Sequence, residues 1–226
     1  KTTKVKPFIC NCFRTNWVFV KVETDSGIHG WGEATLEYRE PTVVAAIHDL
    51  ENWLVGKDPH NIEAFRHDCY RDAYWRGGIV LTSALSAVEM ALWDLKGKAL
   101  GVPVHQLLGG RVRDEVPCYA NGWFAGATLP QEFAQRAVEA AEWGYRALKW
   151  DPFGAAFRTL TTAELSAAIS VVDAVATALD GRADIIVEAH GRFELPTARR
   201  VARALEPYDV LWLEEPLIPG DLTNYA

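Results

Sequence analysis

The sequence predicts an α+β unit followed by an alternating α/β unit, on three observations. Near the start, a strand–turn–strand pattern is followed by helical segments with no strands between them. From residue 116 onward, strands and helices alternate, with strands recurring at intervals of about thirty residues. Two of the later strands end in acidic residues. The alternation predicts a parallel sheet, either doubly wound or rolled into a barrel.

The first unit begins with a predicted β-hairpin. Residues 17–23 are rich in β-branched and aromatic side chains, Asp25-Ser26-Gly27 is typical of a turn, and residues 28–33 resume the strand. The preceding residues 7–16 show no clear period. This segment is therefore either a third strand broken by a loop or a flexible flap.

Three helices are predicted next, because apolar side chains recur three and four residues apart. The first covers residues 41–54, and the second covers residues 62–75 and ends before two glycines. The third is terminated by Gly97, Gly101 and Pro103. It has the most regular apolar face, formed by Ala84, Leu85, Val88, Ala91, Leu92 and Leu95.

The second unit is predicted to contain four strands separated by helices. No Gly-x-Gly-x-x-Gly follows its first strand, which disfavours a dinucleotide-binding fold. We therefore expect two domains, residues 1–110 and residues 111–226, and the second is either a doubly wound sheet or a barrel of which only the first four strands are present. The predicted strands are 116–120, 146–150, 185–188 and 210–214, and the predicted helices are 130–143, 162–179 and 196–206.

The acidic strand ends indicate a cation site. Glu188 follows the apolar residues 185–187, and Glu214 and Glu215 follow the apolar residues 210–213. Because parallel strands joined through a helix end at the same edge of a sheet, these acids are expected to lie together. Carboxylate oxygens that converge on one point suit a divalent cation such as Mg²⁺. A single glutamate at a strand end is more often a solvated loop residue, but the repetition favours a site.

The composition excludes several classes of protein. An apolar content of 49% with 23% charged residues in 226 residues is typical of a globular protein, and the net charge of −7 disfavours nucleic-acid binding. Four cysteines without a second Cys/His pair at zinc spacing are expected to be reduced thiols. The sequence shows neither a membrane-spanning run of about 20 apolar residues nor a signal-like start, so we expect a cytoplasmic protein without a membrane partner.

Several segments in series resemble the mandelate racemase-like branch of the enolase superfamily. They extend over essentially the whole chain, and the resemblance implies an α+β capping domain followed by a modified TIM barrel, (β/α)7β. The segments are Gly30-Trp31-Gly32-Glu33, residues 86–98, Leu107-Leu108-Gly109-Gly110, Lys149, Glu188 and Glu214-Glu215-Pro216.

The resemblance also implies a chemistry. Members of this family use Mg²⁺ to stabilise the enolate formed when the α-proton of a carboxylate substrate is removed. By resemblance, Glu188 and Glu214 correspond to the first and second metal ligands, and Glu215 to a supporting neighbour. The family's third acidic ligand and its later His–Asp pair have no counterpart before Ala226.

The residues at the end of the second barrel strand limit the types of reaction that are expected. Racemase-like members have Lys-x-Lys here, whereas this chain has Lys149-Trp150-Asp151, so a two-sided racemase is disfavoured. Lys149 is expected either to act as the base or to remain cationic and hold the substrate carboxylate. Asp151 and Trp150 are expected either to bind the substrate or to support the residues that do. Trp123 and Trp150 are the two tryptophans expected next to the barrel rim.

The residues after the third barrel strand indicate a dehydratase. Glu188-Ala189-His190-Gly191-Arg192 is similar to the Asp-x-His-Gly-Arg of galactonate dehydratase-like members, in which the histidine protonates the departing β-hydroxyl. If the strand geometry continues that far, strand alternation would place His190 on the same side as Glu188, and a histidine in a rim loop is the alternative. Arg192 is expected to contact the substrate or to support these residues.

These features predict a Mg²⁺-dependent dehydratase that acts on a small acid sugar, an aldonate or aldarate, and works as a homo-oligomer. An epimerase, racemase or lactone cycloisomerase of the same superfamily would share the proton abstraction without losing hydroxide. A non-catalytic carbohydrate-binding or assembly protein is the alternative from another class. We also expect residues 8–16 and 30–33 to cover the carboxyl-terminal rim of the barrel.

Overall fold

The computed structural model describes residues 1–12 and 15–220. The chain divides into two compact units, Lys1–Asp114 and Glu115–Ala226. Each unit has its own three-stranded sheet and its own hydrophobic core.

The first unit contains an antiparallel sheet of order β1-β2-β3, with helices packed on it. Residues 7–12 belong to β1 and pair with β2. Of the two alternatives for residues 7–16, a strand or a flap, the strand is therefore the one observed. Residues 13 and 14 lie outside the described residues. The elements are β1 Thr2–Cys12, β2 Thr15–Thr24, β3 His29–Glu33, α1 Glu40–Leu54, α2 Ile62–Tyr70, α3 Ile79–Leu100 and α4 Val104–Leu107.

Helix α2 is shorter than predicted. It ends at Tyr70, whereas the sequence pattern extended it to residue 75. The side chains of Tyr74 and Trp75 are strongly exposed and do not continue the buried face of the helix that Ile62 and Phe65 form. Without that packing, the aromatic residues after Tyr70 do not stabilise a further helical turn.

Strand β3 and helix α3 are in very close contact, because β3 carries two glycines. A Cβ atom on Gly30 would lie 1.9 Å from the carbonyl oxygen of Ala91, and one on Gly32 would lie 2.0 Å from the carbonyl oxygen of Ala87. The backbone N–H of Trp31 donates to Asp94 of α3 at 2.8 Å. The Gly-Trp-Gly-Glu segment is therefore a packing feature of the first unit.

The second unit contains a parallel sheet of order β4-β5-β6, whose strands alternate with helices as predicted. The helices lie within one or two residues of their predicted bounds, and α6 has the predicted bounds. The elements are α5 Pro130–Glu142, β4 Ala147–Trp150, α6 Thr162–Leu179, β5 Asp184–Glu188, α7 Leu195–Leu205, a 3-10 turn at Glu206–Tyr208, and β6 Trp212–Glu214.

The prediction of a regular first barrel strand at residues 116–120 is wrong. Ala120 alone pairs there, in a parallel bridge with Leu148, and its N–H donates to the carbonyl oxygen of Ala147 at 2.9 Å. Val116 and Tyr119 are exposed. Among the residues that the structure describes, no other strand pairs with this segment, and its pairing with β4 is limited to a single residue.

Helix α6 is long and apolar enough to cross a membrane, judged by length and composition alone. It begins with a capping box in which Thr161 and Glu164 each bond to the other's backbone N–H. One face of the helix is buried in the core of the second unit, through Ala168, Val172, Val175 and Leu179. We therefore interpret α6 as a helix of the α/β unit.

Candidate active site

The carboxyl ends of β4, β5 and β6 carry the predicted site residues. Glu188 at the end of β5 pairs in register with Glu214 at the end of β6, and Lys149 lies near the end of β4. Because the three strands are parallel, these residues lie at one edge of the sheet.

Lys149 lies between the two glutamates that were predicted to bind metal. Its Nζ donates to Glu188 Oε2 at 3.1 Å and to Glu214 Oε1 at 2.6 Å. The side chains of Lys149 and Glu188 are 9% and 7% exposed, and that of Glu214 is partly buried. The two carboxylates thus converge on one point, which the ammonium group occupies.

The charges in this cluster stabilise one another. Burial is the largest influence on the pKa of Lys149 and lowers it, but the hydrogen bonds to Glu214 and Glu188 outweigh it and raise this pKa above its ordinary value. Burial is also the largest influence on the pKa of Glu214, which it raises. The hydrogen bonds from Lys149 and Trp212 outweigh burial and hold this pKa below its ordinary range. The contacts of Nζ with two carboxylates thus favour the protonated form of Lys149, which agrees better with the cationic role than with the base.

His190 is placed by a tight turn. Strand β5 ends at Glu188, and His190 has a left-handed backbone with φ of 51°. Its backbone N–H donates to Glu188 Oε1 at 2.7 Å. The strand does not continue as far as His190, so the condition for placing it by strand alternation is not met, and the turn sets its position instead.

Asp151 joins His190 to Arg192. Its Oδ2 lies 2.8 Å from His190 Nδ1, and its Oδ1 accepts from Arg192 Nη2 at 2.6 Å and from the backbone N–H of Phe153 at 2.9 Å. Arg192 Nη2 also contacts Oδ2. The side chains of Asp151 and Arg192 are mostly buried, whereas that of His190 is 56% exposed. The carboxylate is thus held from one side by Arg192 and holds the imidazole on the other.

Trp150 and Trp123 support the strand and do not line a substrate surface. Trp150 is 1% exposed and packs against Trp123 with ring centroids 5.4 Å apart. Trp123 Nε1 donates to the carbonyl oxygen of Lys149 at 3.0 Å. Strand alternation directs Trp150 into the core, opposite to Lys149, so of its two predicted roles the supporting one agrees with its burial.

Glu215 contributes through its backbone. Its side chain is exposed, and its carbonyl oxygen accepts from the N–H of Gly191 at 2.7 Å. This bond joins the turn after β6 to the turn that carries His190. The structure therefore places Glu215 next to the site and gives its carboxylate no described role.

Two aromatic residues of the cluster were missed by the sequence analysis. Tyr119 lies with its ring 5.2 Å from Lys149 Nζ, and Trp212 Nε1 donates to Glu214 Oε2 at 3.0 Å. The two rings are in edge-to-face contact. Trp212 could have been found from its spacing, because it lies two residues before Glu214 on one strand and so shares its face.

The two glutamates fit a hard divalent cation in part. Their oxygens meet at a common point, as shown by the shared hydrogen bonds from Lys149, and carboxylate oxygens are the ligands that Mg²⁺ prefers. Among residues 1–12 and 15–220, no cluster of three or more His, Cys, Asp or Glu side chains is arranged to hold a metal. Further ligands would therefore come from water, substrate or residues outside these ranges.

Two family models match the chain, one in each unit. The model of the mandelate racemase / muconate lactonizing enzyme N-terminal domain matches residues 5–109, and the enolase C-terminal domain-like model matches residues 132–226. The chain belongs to the mandelate racemase-like branch of the enolase superfamily. The predicted resemblance is confirmed, and so is the superfamily fold with a capping domain followed by a barrel domain.

This superfamily member is similar to proteins named as sugar-acid dehydratases. The D-gluconate dehydratase of Thermoproteus tenax is 43% identical over 209 residues, covering 92% of this chain and 42% of the relative. The D-galactonate dehydratase of Variovorax paradoxus is 41% identical over 209 residues, covering 92% of this chain and 54% of the relative. The chain spans about half the length of these curated relatives.

The fold is similar to solved structures of the same superfamily. The crystal structure of a member of the enolase superfamily from Salmonella Typhimurium matches with a TM-score of 0.93 at 31% sequence identity. The match covers 99% of this chain and 63% of that one.

Proposed function

We propose that this chain carries part of the active site of an acid-sugar dehydratase. The enzyme would remove the α-proton of an aldonate or aldarate and eliminate the β-hydroxyl as water, leaving a 2-keto-3-deoxy acid. The proposal rests on one observation. The Lys149–Glu188–Glu214 cluster lies at the same sheet edge as His190, whose imidazole is within hydrogen-bond distance of Asp151. The names of the similar proteins, D-gluconate and D-galactonate dehydratase, support the same reaction class.

Glu188 and Glu214 would hold Mg²⁺, because their carboxylates already converge on one cation. When bound, Mg²⁺ would stabilise negative charge on the substrate carboxylate. Lys149, kept cationic by its neighbours, would bind and orient the same carboxylate. These residues would thus favour the enolate over the starting acid.

His190 would act at the leaving group. Loss of a β-hydroxyl requires a proton, since hydroxide is a poor leaving group, and a positioned donor supplies it. The Nδ1 side of the ring is directed at Asp151, so Nε2 is the nitrogen available to a substrate. The exposure of the ring is consistent with access to a bound ligand.

The proposal is tested by following two reactions of the same substrate in the whole protein with Mg²⁺. Formation of a 2-keto acid reports elimination, and uptake of deuterium at the α-carbon from D₂O reports proton abstraction. For His190→Asn we expect elimination to fall about 10²–10⁴-fold while deuterium uptake persists, because only elimination needs the acid. His105→Asn, a change at an exposed histidine of the first unit, is the control.

Each other outcome identifies an alternative. Deuterium uptake without a keto acid in the unmodified protein would indicate an epimerase or cycloisomerase. Parallel loss of both reactions in His190→Asn would make His190 the base. Retention of both would mean that His190 is a rim-loop residue, and the dehydratase proposal would fail.

We further propose that the protein is cytoplasmic and works as a homo-oligomer. The four cysteines form no disulfides, which is consistent with a reducing compartment. The large exposed side chains of Tyr74 and Trp75 are typical of surfaces that become covered. Light scattering on the purified protein would measure the oligomeric state. That residues 8–16 and 30–33 cover the barrel rim stays a prediction.

A further inference from the structure

We propose that Arg192 and Asp151 are positioning residues that fix which nitrogen of His190 carries a proton and which faces the substrate. The substrate-facing part of this inference rests on the dehydratase proposal. The control of the imidazole itself rests on the contacts among these three residues.

Arg192 is bound in a way that leaves its guanidinium little freedom. Nε donates to the carbonyl oxygen of Ala189 at 3.0 Å, Nη1 to that of Gly154 at 2.7 Å, and Nη2 to Asp151. These bonds connect the turn after β4 with the turn after β5. Because the side chain is also mostly buried, Arg192 acts as a brace between the two turns.

The brace fixes the carboxylate of Asp151. Arg192 Nη2 contacts both oxygens, and the backbone N–H of Phe153 donates to Oδ1, so the carboxylate cannot turn without losing charge-assisted hydrogen bonds. Oδ2 is thereby directed at His190 Nδ1. A carboxylate is only an acceptor, so in the neutral ring the proton must be on Nδ1.

The backbone of His190 is fixed independently. Its N–H donates to Glu188, and its left-handed φ of 51° gives the ring its direction. Backbone and ring are thus held by two separate acids, Glu188 and Asp151. With Nδ1 bound, Nε2 is left to exchange a proton with a ligand.

The first test is the tautomer of His190 in Asp151→Asn, which keeps the side-chain volume. Arg192 can only donate, so it should keep the amide oxygen and direct the new NH₂ group at Nδ1. The neutral ring should then carry its proton on Nε2. We expect two-bond ¹H–¹⁵N spectra of ¹⁵N-histidine-labelled whole protein, recorded at a pH at which the ring is neutral, to show Nδ1–H before the change and Nε2–H after it.

The second test removes the brace and keeps the acid. Arg192→Met should give a mixture of the two His190 tautomers and lower kcat about 10–100-fold, with KM changed by much less. Arg192→Lys should not restore either property, because an ammonium cannot make the forked contact. Arg199→Met, at an exposed arginine of α7, should change neither property.

The outcomes separate this inference from the proposed function. Retention of the Nδ1–H tautomer in both Asp151→Asn and Arg192→Met would overturn it. If Arg192→Met does not fold, as judged by circular dichroism, the spectrum of Asp151→Asn decides alone. If the tautomer changes as expected but the unmodified protein forms no keto acid, the dehydratase proposal fails while the control of the imidazole stands.

Discussion

The contact between β3 and α3 in the first unit and the strand-end cluster of the second unit both lie within the ranges that match the family models, but they are specified in opposite ways. At Gly30 and Gly32 the absence of a side chain allows two backbones to meet. At Lys149, Glu188 and Glu214, charged side chains are brought into a nearly buried position, where each charge needs the others.

This difference means that the first region serves stability, whereas the second serves function at a cost in stability. The glycine contact is steric and should respond to any added atom, whatever the metal or substrate present. The charged cluster costs desolvation energy that packing alone would not require, which is typical of a binding site. Changes in the first region should therefore alter unfolding without altering cation binding, whereas changes in the second should alter both.

The largest effect on stability is expected for an added side chain at either glycine of β3, for example Gly32→Ala. The new Cβ would lie 2.0 Å from the carbonyl oxygen of Ala87, so β3 and α3 must separate. We expect a loss in the free energy of unfolding on the order of 3 kcal/mol or more, measured by urea denaturation. Gly27→Ala is the control, because its Cβ meets nothing within 4 Å and only the positive φ is strained, at about 1 kcal/mol. Equal losses in the two variants would contradict the steric interpretation.

Lys149→Met should have the next largest effect on stability. It leaves the carboxylates of Glu188 and Glu214 facing each other without a cation, which we expect to cost about 3 kcal/mol of unfolding free energy in the absence of divalent ions. Added Mg²⁺ should recover much of this loss, because it would bind between the same oxygens. Thermal unfolding with EDTA and with Mg²⁺ measures both effects, with exposed Lys4→Met as the control. A loss that Mg²⁺ does not change would count against the metal site.

Glu188→Gln should affect stability less and cation binding more. The amide keeps an oxygen for the N–H of His190, but it loses the charge that pairs with Lys149. We expect Mg²⁺ binding, measured by titration calorimetry, to be lost while circular dichroism shows the fold intact. Glu215→Gln should bind Mg²⁺ as the unmodified protein does. Equal binding by Glu188→Gln would remove Glu188 from the ligand set.

The smallest effect is expected at Glu23, a partly exposed carboxylate of the first unit that pairs with two lysines. Hydrogen bonds from Lys6 and Lys21 lower the pKa of Glu23 from 4.5 to about 2. Because the folded pKa is the lower one, the stabilisation is complete above the unfolded value and is lost as the pH falls toward about 2. The stability difference between the unmodified protein and Glu23→Gln should therefore be constant at neutral pH and shrink in acid. A difference that stays constant down to about pH 2 would show that the pairs contribute nothing.

The sequence predicted elements whose signals are local. Helix α6 has its predicted bounds because its apolar spacing and its Thr161–Glu164 capping box lie within one segment. The acids at the ends of β5 and β6 were found for a similar reason, since parallel strands of one sheet end at a common edge.

Only the tertiary structure decided the features that depend on partners distant in sequence. Residues 116–120 have the side chains of a strand, but a strand also needs neighbours, and Ala120 alone is paired. Asp151 and Arg192 are 41 residues apart, and no local pattern shows that one orients the other. The sequence specified which acids, bases and glycines are present, whereas the packing of β4 beside β5 determined which of them meet, because hydrogen-bond geometry is set by distances in space.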